Sequence, residues 1–114
     1  MAVMLIAEKR TLVGAFPPTT DYSDPVKVGD ANRVTIQVVL LQVTMGSGVT
    51  ATLEGGNIAE GTYAAVSGTS TTVSSVGDVG VARYSSIPFA FVRVKFTASS
   101  GVHLYTANLN LTKS

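Results

Sequence analysis

Residues Arg33 to Thr44, RVTIQVVLLQVT, form the segment around which the rest of this chain has to pack. Val34, Ile36, Val38 and Leu40 recur every second residue, which sets their side chains on one face of an extended strand. Thr35 and Gln37 take the other face. From Val39 to Leu41 the run is continuously apolar, and Leu41 and Val43 then carry the apolar phase on odd positions. A change of face within one strand requires a bulge or a bend, or a cover on both faces. The segment is expected to be a central, well-buried strand.

The flanking sequence repeats this strand-and-turn pattern on a shorter scale. Ala2 to Ala7 (AVMLIA) is expected to be a strand, or an arm that adds to a neighbour's sheet. Leu12, Val13, Ala15 and Phe16 continue the apolar signal up to Pro17-Pro18, which remove two backbone donors and stop any ladder. Thr19 to Asp24 and Pro25 are expected to form a loop, and Val26 to Val28 a short strand turned by Gly29 to Asn32. Met45 to Gly48 has the composition of a hairpin connection. Val49 to Glu54 alternates as a strand with one wet face, and Tyr63 to Val66 follows as a short one.

Ser67 to Asp78, rich in Ser, Thr and Gly, is expected to be a solvated edge strand, a long loop or a flexible tip, with Thr71 to Val73 favouring extended structure. Val79 to Tyr84 leads to a turn at Ser85 to Pro88. Ala90 to Phe96 alternates as the second-best strand, and Val102 to Leu111 as the last, with Leu109 and Leu111 on one face. No window repeats apolar residues with helical spacing. The expected fold is all-β: one antiparallel sandwich domain over 1–114, jelly-roll or immunoglobulin-like, with seven to nine strands and 1–7 as a candidate arm.

Composition bears on partners. Charged residues are 13% of the chain, against about 25% in an ordinary soluble domain. Mean hydropathy is +0.36, so much of the surface is expected to be covered by other subunits, with Gly, Ser and Thr supplying the wet remainder. The net charge is +1, with eight Lys and Arg and seven acids scattered along the chain. No basic cluster is present to track a phosphate backbone, so nucleic acid is not an expected partner. With no cysteine, thiolate metal sites, a thiol nucleophile and disulfides are excluded. Ala2 to Ala7 is too short and has the wrong flanks for a signal peptide or a membrane span, so neither export by the general secretory route nor a membrane partner is expected.

The search for chemistry returns little. His103 is the only histidine; a place between Val102 and Leu104 suggests the wet face of a strand, as a surface or interface residue rather than a base or metal ligand. Asp21, Asp24, Asp30 and Asn32 would suit a hard cation, but their spacing matches no standard calcium loop. Glu54 and Glu60 are the carboxylate pair to weigh for glycoside hydrolysis, in a chain too small for a deep cleft. No nucleophile motif or dinucleotide loop occurs. No catalytic residue, cofactor or metal ligand is therefore assigned. Tyr22, Tyr63, Tyr84 and Tyr105 are candidates for a carbohydrate platform, with core or interface packing as the other use of a tyrosine. Arg33, Arg83 and Arg93 sit beside apolar strands, where arginine is enriched at subunit contacts. With Val3, Leu5 and Ile6 of the N-terminal segment they are the expected interface residues.

Two segments carry a resemblance. VTATLEGGNIAEGTYAAV (49–66) is a strand ending in an acid and small residues, followed by a Gly turn and an aromatic, with Tyr63 where the pattern usually has Trp. FVRVKFTASSGVHLYTANLNL (91–111) is an Arg-bearing penultimate strand, a Gly turn and a final strand. Together with Arg33 to Val43 they resemble small β-sandwich proteins of tailed-phage particles. That resemblance implies a non-enzymatic virion structural protein, made in the host cytoplasm. The expected role is a head decoration or cement protein, commonly a trimer, that binds a major capsid or other virion protein. A neck or tail subunit, or a carbohydrate-binding module on a tail or fibre, is the alternative.

Overall fold

The computed structural model describes residues 2–13, 19–46, 48–58, 60–66, 70–85, 89–98 and 100–113, with the side chains of 2–9 and 19 left aside. Among these residues there are ten strands: β1 (Ala2–Val13), β2 (Thr19–Tyr22), β3 (Val26–Lys27), β4 (Arg33–Thr44), β5 (Val49–Gly56), β6 (Ala64–Ala65), β7 (Thr71–Val73), β8 (Val79–Ser85), β9 (Phe91–Ala98) and β10 (Val102–Thr112). No helix occurs among the described residues. Every ladder is antiparallel, and the strands form two sheets. Sheet A runs β1-β10-β4-β8. Sheet B runs β2-β9-β5-β6, with β3 also on β9 and β7 also on β5.

The pairing has a simple generating rule. β1 pairs with β10, β2 and β3 with β9, β4 with β8, and β5 with β6 and β7. The chain is thus one long ribbon doubled back between β5 and β6, with its two legs paired. Wrapping that ribbon brings β10 onto β4 and β9 onto β5, which closes the two sheets. This is the jelly-roll alternative of the two expected sandwiches. Because β2 with β3, and β6 with β7, each share one place on a partner strand, the ten strands occupy eight positions, inside the range the turn spacing suggests.

β4 is central, between β10 and β8, and Val34, Ile36, Val38 and Leu40 are all buried. The expected change of face is a bulge. Leu40 lies opposite Tyr105 and Gln42 opposite Leu104, so Leu41 is the extra residue. It turns out to solvent at 38% exposure, and Val43 returns to the core side. From the facing sheet, Val49, Ala51 and Leu53 of β5 and Val92, Val94 and Phe96 of β9 complete the core. The Phe96 and Tyr105 rings meet across it, 4.8 Å between centroids. Each aliphatic side chain so buried contributes about 1.5–3 kcal/mol, and this sheet-to-sheet burial holds the sandwich closed.

Two expectations are corrected. Thr19–Tyr22 is a strand, not a loop: β9 offers it an edge, and its β-branched and aromatic residues suit one. The ladder continues through Ser23, whose N–H donates to Val94 O at 2.9 Å while its Oγ accepts from Val94 N–H at 2.8 Å. Met45 to Gly48 is not a hairpin, because the strands it joins, β4 and β5, belong to different sheets. For Ala2 to Ala7 the strand alternative is the one observed, in its own chain's sheet and paired from Ala2 opposite Leu111 onward. The expected stops at Pro17-Pro18 and Ser86 to Pro88 lie outside the described residues.

Candidate interaction surfaces

On the outer face of sheet B, alternation along β9 turns Arg93 and Lys95 outward, and alternation along β5 does the same for Thr52 and Glu54. Register places Arg93 directly opposite Glu54. Arg93 Nε donates to Glu54 Oε1 at 2.7 Å, with the two side chains 25% and 11% exposed. The guanidinium also lies between two rings, 4.1 Å from the centre of Tyr22 and 4.4 Å from that of Tyr63. Gly56 makes room for this: a Cβ there would lie 3.0 Å from Thr62 O and 3.3 Å from the Tyr63 ring. A charge-assisted bond on one edge and aromatic faces above and below hold the arginine in one orientation.

The outer face of sheet A has a different character. Arg33 and Arg83 are exposed and share a shallow open groove of about 400 Å³ with Thr35, Ser85 and Thr112. A second depression of about 300 Å³ continues from it over Gln37, Val81, Asn108 and Asn110. Asn110 Oδ1 is buried there without a hydrogen-bond partner among the described residues. Along the same sheet Val79, Val81, Leu41, Val102 and Val13 are exposed. The three expected interface arginines are therefore split, Arg33 and Arg83 on one sheet and Arg93 on the other. Val3 and Leu5 stand opposite Asn110 and Asn108 in the ladder, and Ile6 falls at a register shift; the side chains of all three lie outside the described residues.

His103 is the clearest correction. It is 0% exposed and faces the core, in the same phase as Tyr105, Ala107, Leu109 and Leu111. Its Nε2 accepts from Gly48 N–H at 3.1 Å, and its Nδ1 donates to Leu12 O at 3.2 Å. Gly48 N–H can only donate and Leu12 O can only accept, so the partners fix a neutral ring with its proton on Nδ1. Gly46 packs directly over the ring, and a Cβ at that position would collide with Nε2. The histidine ties β1, β10 and the β4–β5 connection together as a structural residue.

The four tyrosines divide in the same way. Tyr22 and Tyr63 flank Arg93, whereas Tyr84 and Tyr105 are buried. Burial raises the Tyr84 pKa above its ordinary value. The Tyr105 phenol is pushed up much further, by burial first and then by the Asp21 carboxylate that accepts its O–H at 3.2 Å. Asp21 also holds Arg10 at 3.2 Å, so it closes the open side of the sandwich between β1 and β2. Asp24 and Asp30 are exposed elsewhere. Among the described residues no group of three or more His, Asp or Glu side chains converges as a metal site. Glu54 is committed to Arg93, and Glu60 is exposed in the β5–β6 connection.

No protein-family model matches this chain, and no curated protein matches it. The surfaces themselves are what speak to function. Sheet B presents a clamped arginine, and sheet A presents Arg33 and Arg83 with Val79 and Val81 next to them and Val13 and Val102 at its far end.

Proposed function

We propose that this protein is a non-enzymatic virion structural subunit, most specifically a head decoration protein that acts by packing against copies of itself and against a capsid protein. The observation that carries the reading is the outer face of sheet A, where Val79 and Val81 stand exposed on β8 next to Arg83, which shares a groove with Arg33. Surface of this kind is costly in water and is recovered by contact. The resemblance of 49–66 and 91–111 to tailed-phage β-sandwich proteins supplies the particle, and with it the expectation of a place in the virion. The test is immunogold labelling of intact virions from the source with antibody to this chain. Regular labelling of the head supports the proposal; absence of the chain from purified particles refutes it.

A second reading has its own observation. Tyr22 and Tyr63 converge on one outer face, with Arg93 between them, and an aromatic pair with polar neighbours suits a sugar. A glycan array with Tyr22→Ala and Tyr63→Ala separates the two readings. A saturable signal lost in both variants favours carbohydrate binding; no signal from the unaltered chain removes it.

A further inference from the structure

Each sheet of a sandwich ends in two strands whose outer backbone groups are unpaired, and native proteins blunt such edges. Three of the four edges here are blunted. β1 has register shifts between Leu5 and Ala7 and between Ala7 and Arg10, and carries Glu8, Lys9 and Arg10. On sheet B, β2 and β3 are short and interrupted at Asp24 and Pro25, and β6 and β7 are two and three residues long. β8 has none of these defences. It runs seven residues, Val79–Ser85, in unbroken register with β4, without proline, and Arg83 is its only charge.

The ladder shows which groups β8 leaves open. Leu40 donates its N–H to Asp78 O at 3.1 Å and accepts from Gly77 N–H at 2.9 Å, so its backbone points toward β8. Bonding direction alternates along a strand. Val38, Ile36 and Val34 therefore face β8 as well, and their partners Gly80, Ala82 and Tyr84 face back. The N–H and C=O of Val79, Val81, Arg83 and Ser85 are left on the side where, among the described residues, sheet A has no further strand. The side chains of Val79 and Val81 beside them are 54% and 44% exposed.

We infer that β8 pairs antiparallel with β8 of a second copy, making one continuous sheet across a two-fold axis. A second copy fits because the strand is complementary to itself. Two registers match outward groups to outward groups over most of the strand, one centred on Val81 and one on Ala82. In both, Arg83 faces a valine of the other copy and never its own counterpart, so like charges stay apart where they would cost most. The inference stands independently of the virion reading: a monomer that coats particles would end the one and leave the other.

The experiment is the native mass by light scattering over a wide concentration range, for the unaltered chain, Val81→Pro and Val81→Thr. Proline at 81 removes an N–H that points away from β4 and leaves the ladder bonds to β4 in place. The unaltered chain and Val81→Thr are expected to reach twice the chain mass as concentration rises, and Val81→Pro to stay at the chain mass. A monomer throughout, a trimer, or association of Val81→Pro equal to that of the unaltered chain overturns the inference. Should Val81→Pro fail to fold, amide exchange of the unaltered chain decides. Slowing of the Val79, Val81 and Arg83 amides with rising concentration supports the pairing, and fast exchange at every concentration refutes it.

Discussion

Arg93 and Glu54 face each other across the β9–β5 ladder, and Arg93 Nε donates to Glu54 Oε1 at 2.7 Å under the cover of two tyrosine rings. Because the glutamate is 8% exposed, the pair belongs more to the interior than to the surface. Arg93→Ala is expected to lower stability by about 2 kcal/mol, since it strands a nearly buried carboxylate. Arg93→Met with Glu54→Gln is expected to cost less than the two single changes added together. Urea unfolding of the four proteins checks this; additive effects would mean that the pair is uncoupled.

His103 offers a comparable test inside the core. His103→Ala removes the partners of Gly48 N–H and Leu12 O and leaves a cavity, for an expected loss of about 3 kcal/mol or more. Gly46→Ala drives a methyl into the same ring and is expected to destabilise strongly in the native background and markedly less beside His103→Ala. Thermal melts of the single and double variants measure that coupling.

The bulge in β4 separates two neighbouring leucines. Leu40 is fully buried, and Leu41 is the extra residue turned outward. Leu40→Ala is expected to cost about 2–5 kcal/mol, and Leu41→Ala about 0.5 kcal/mol or less in the isolated chain. Equal effects on the unfolding midpoint would place the bulge elsewhere.

Alkaline pH should act through Tyr105 and Tyr84. Both phenols have pKa values raised by burial, that of Tyr105 also by Asp21. Above the ordinary tyrosine value of about 10 the unfolded chain loses protons that the folded chain keeps. Stability is therefore fully present below that pH and falls as pH rises past it. Tyr105→Phe is expected to cost about 1 kcal/mol at neutral pH and to make the alkaline decline shallower. Unfolding curves at rising pH, with phenolate absorbance, measure both.

Much of this architecture was legible in local pattern, because alternation along β4, β5, β9 and β10 is itself the statement of which face is buried. The bulge was legible for the same reason, as a phase error between Leu40 and Val43. His103 was legible too, since it shares parity with Leu109 and Leu111, but a polar residue between Val102 and Leu104 imitates a wet face. The strand at Thr19–Tyr22 was not legible, because its ordering comes from β9, more than seventy positions along the chain. Nor was the crossing of Met45 to Gly48 between sheets, as local turn composition is the same for a hairpin and an arch. The Arg93 clamp needs the β5–β9 register and the seat at Gly56, and both are long-range consequences of the ribbon's wrapping.

The claim that this chain works by contact is tested most directly by titrating it against phage heads from its source stripped of accessory proteins, and weighing what co-sediments. The account predicts saturation at a fixed number of copies per head, with loss of binding when Val79, Val81 and Arg83 are replaced together by Asp, Asp and Glu in a variant shown to fold. A chain that stays in the supernatant at every ratio, or binds unchanged with that face reversed in charge, would contradict it.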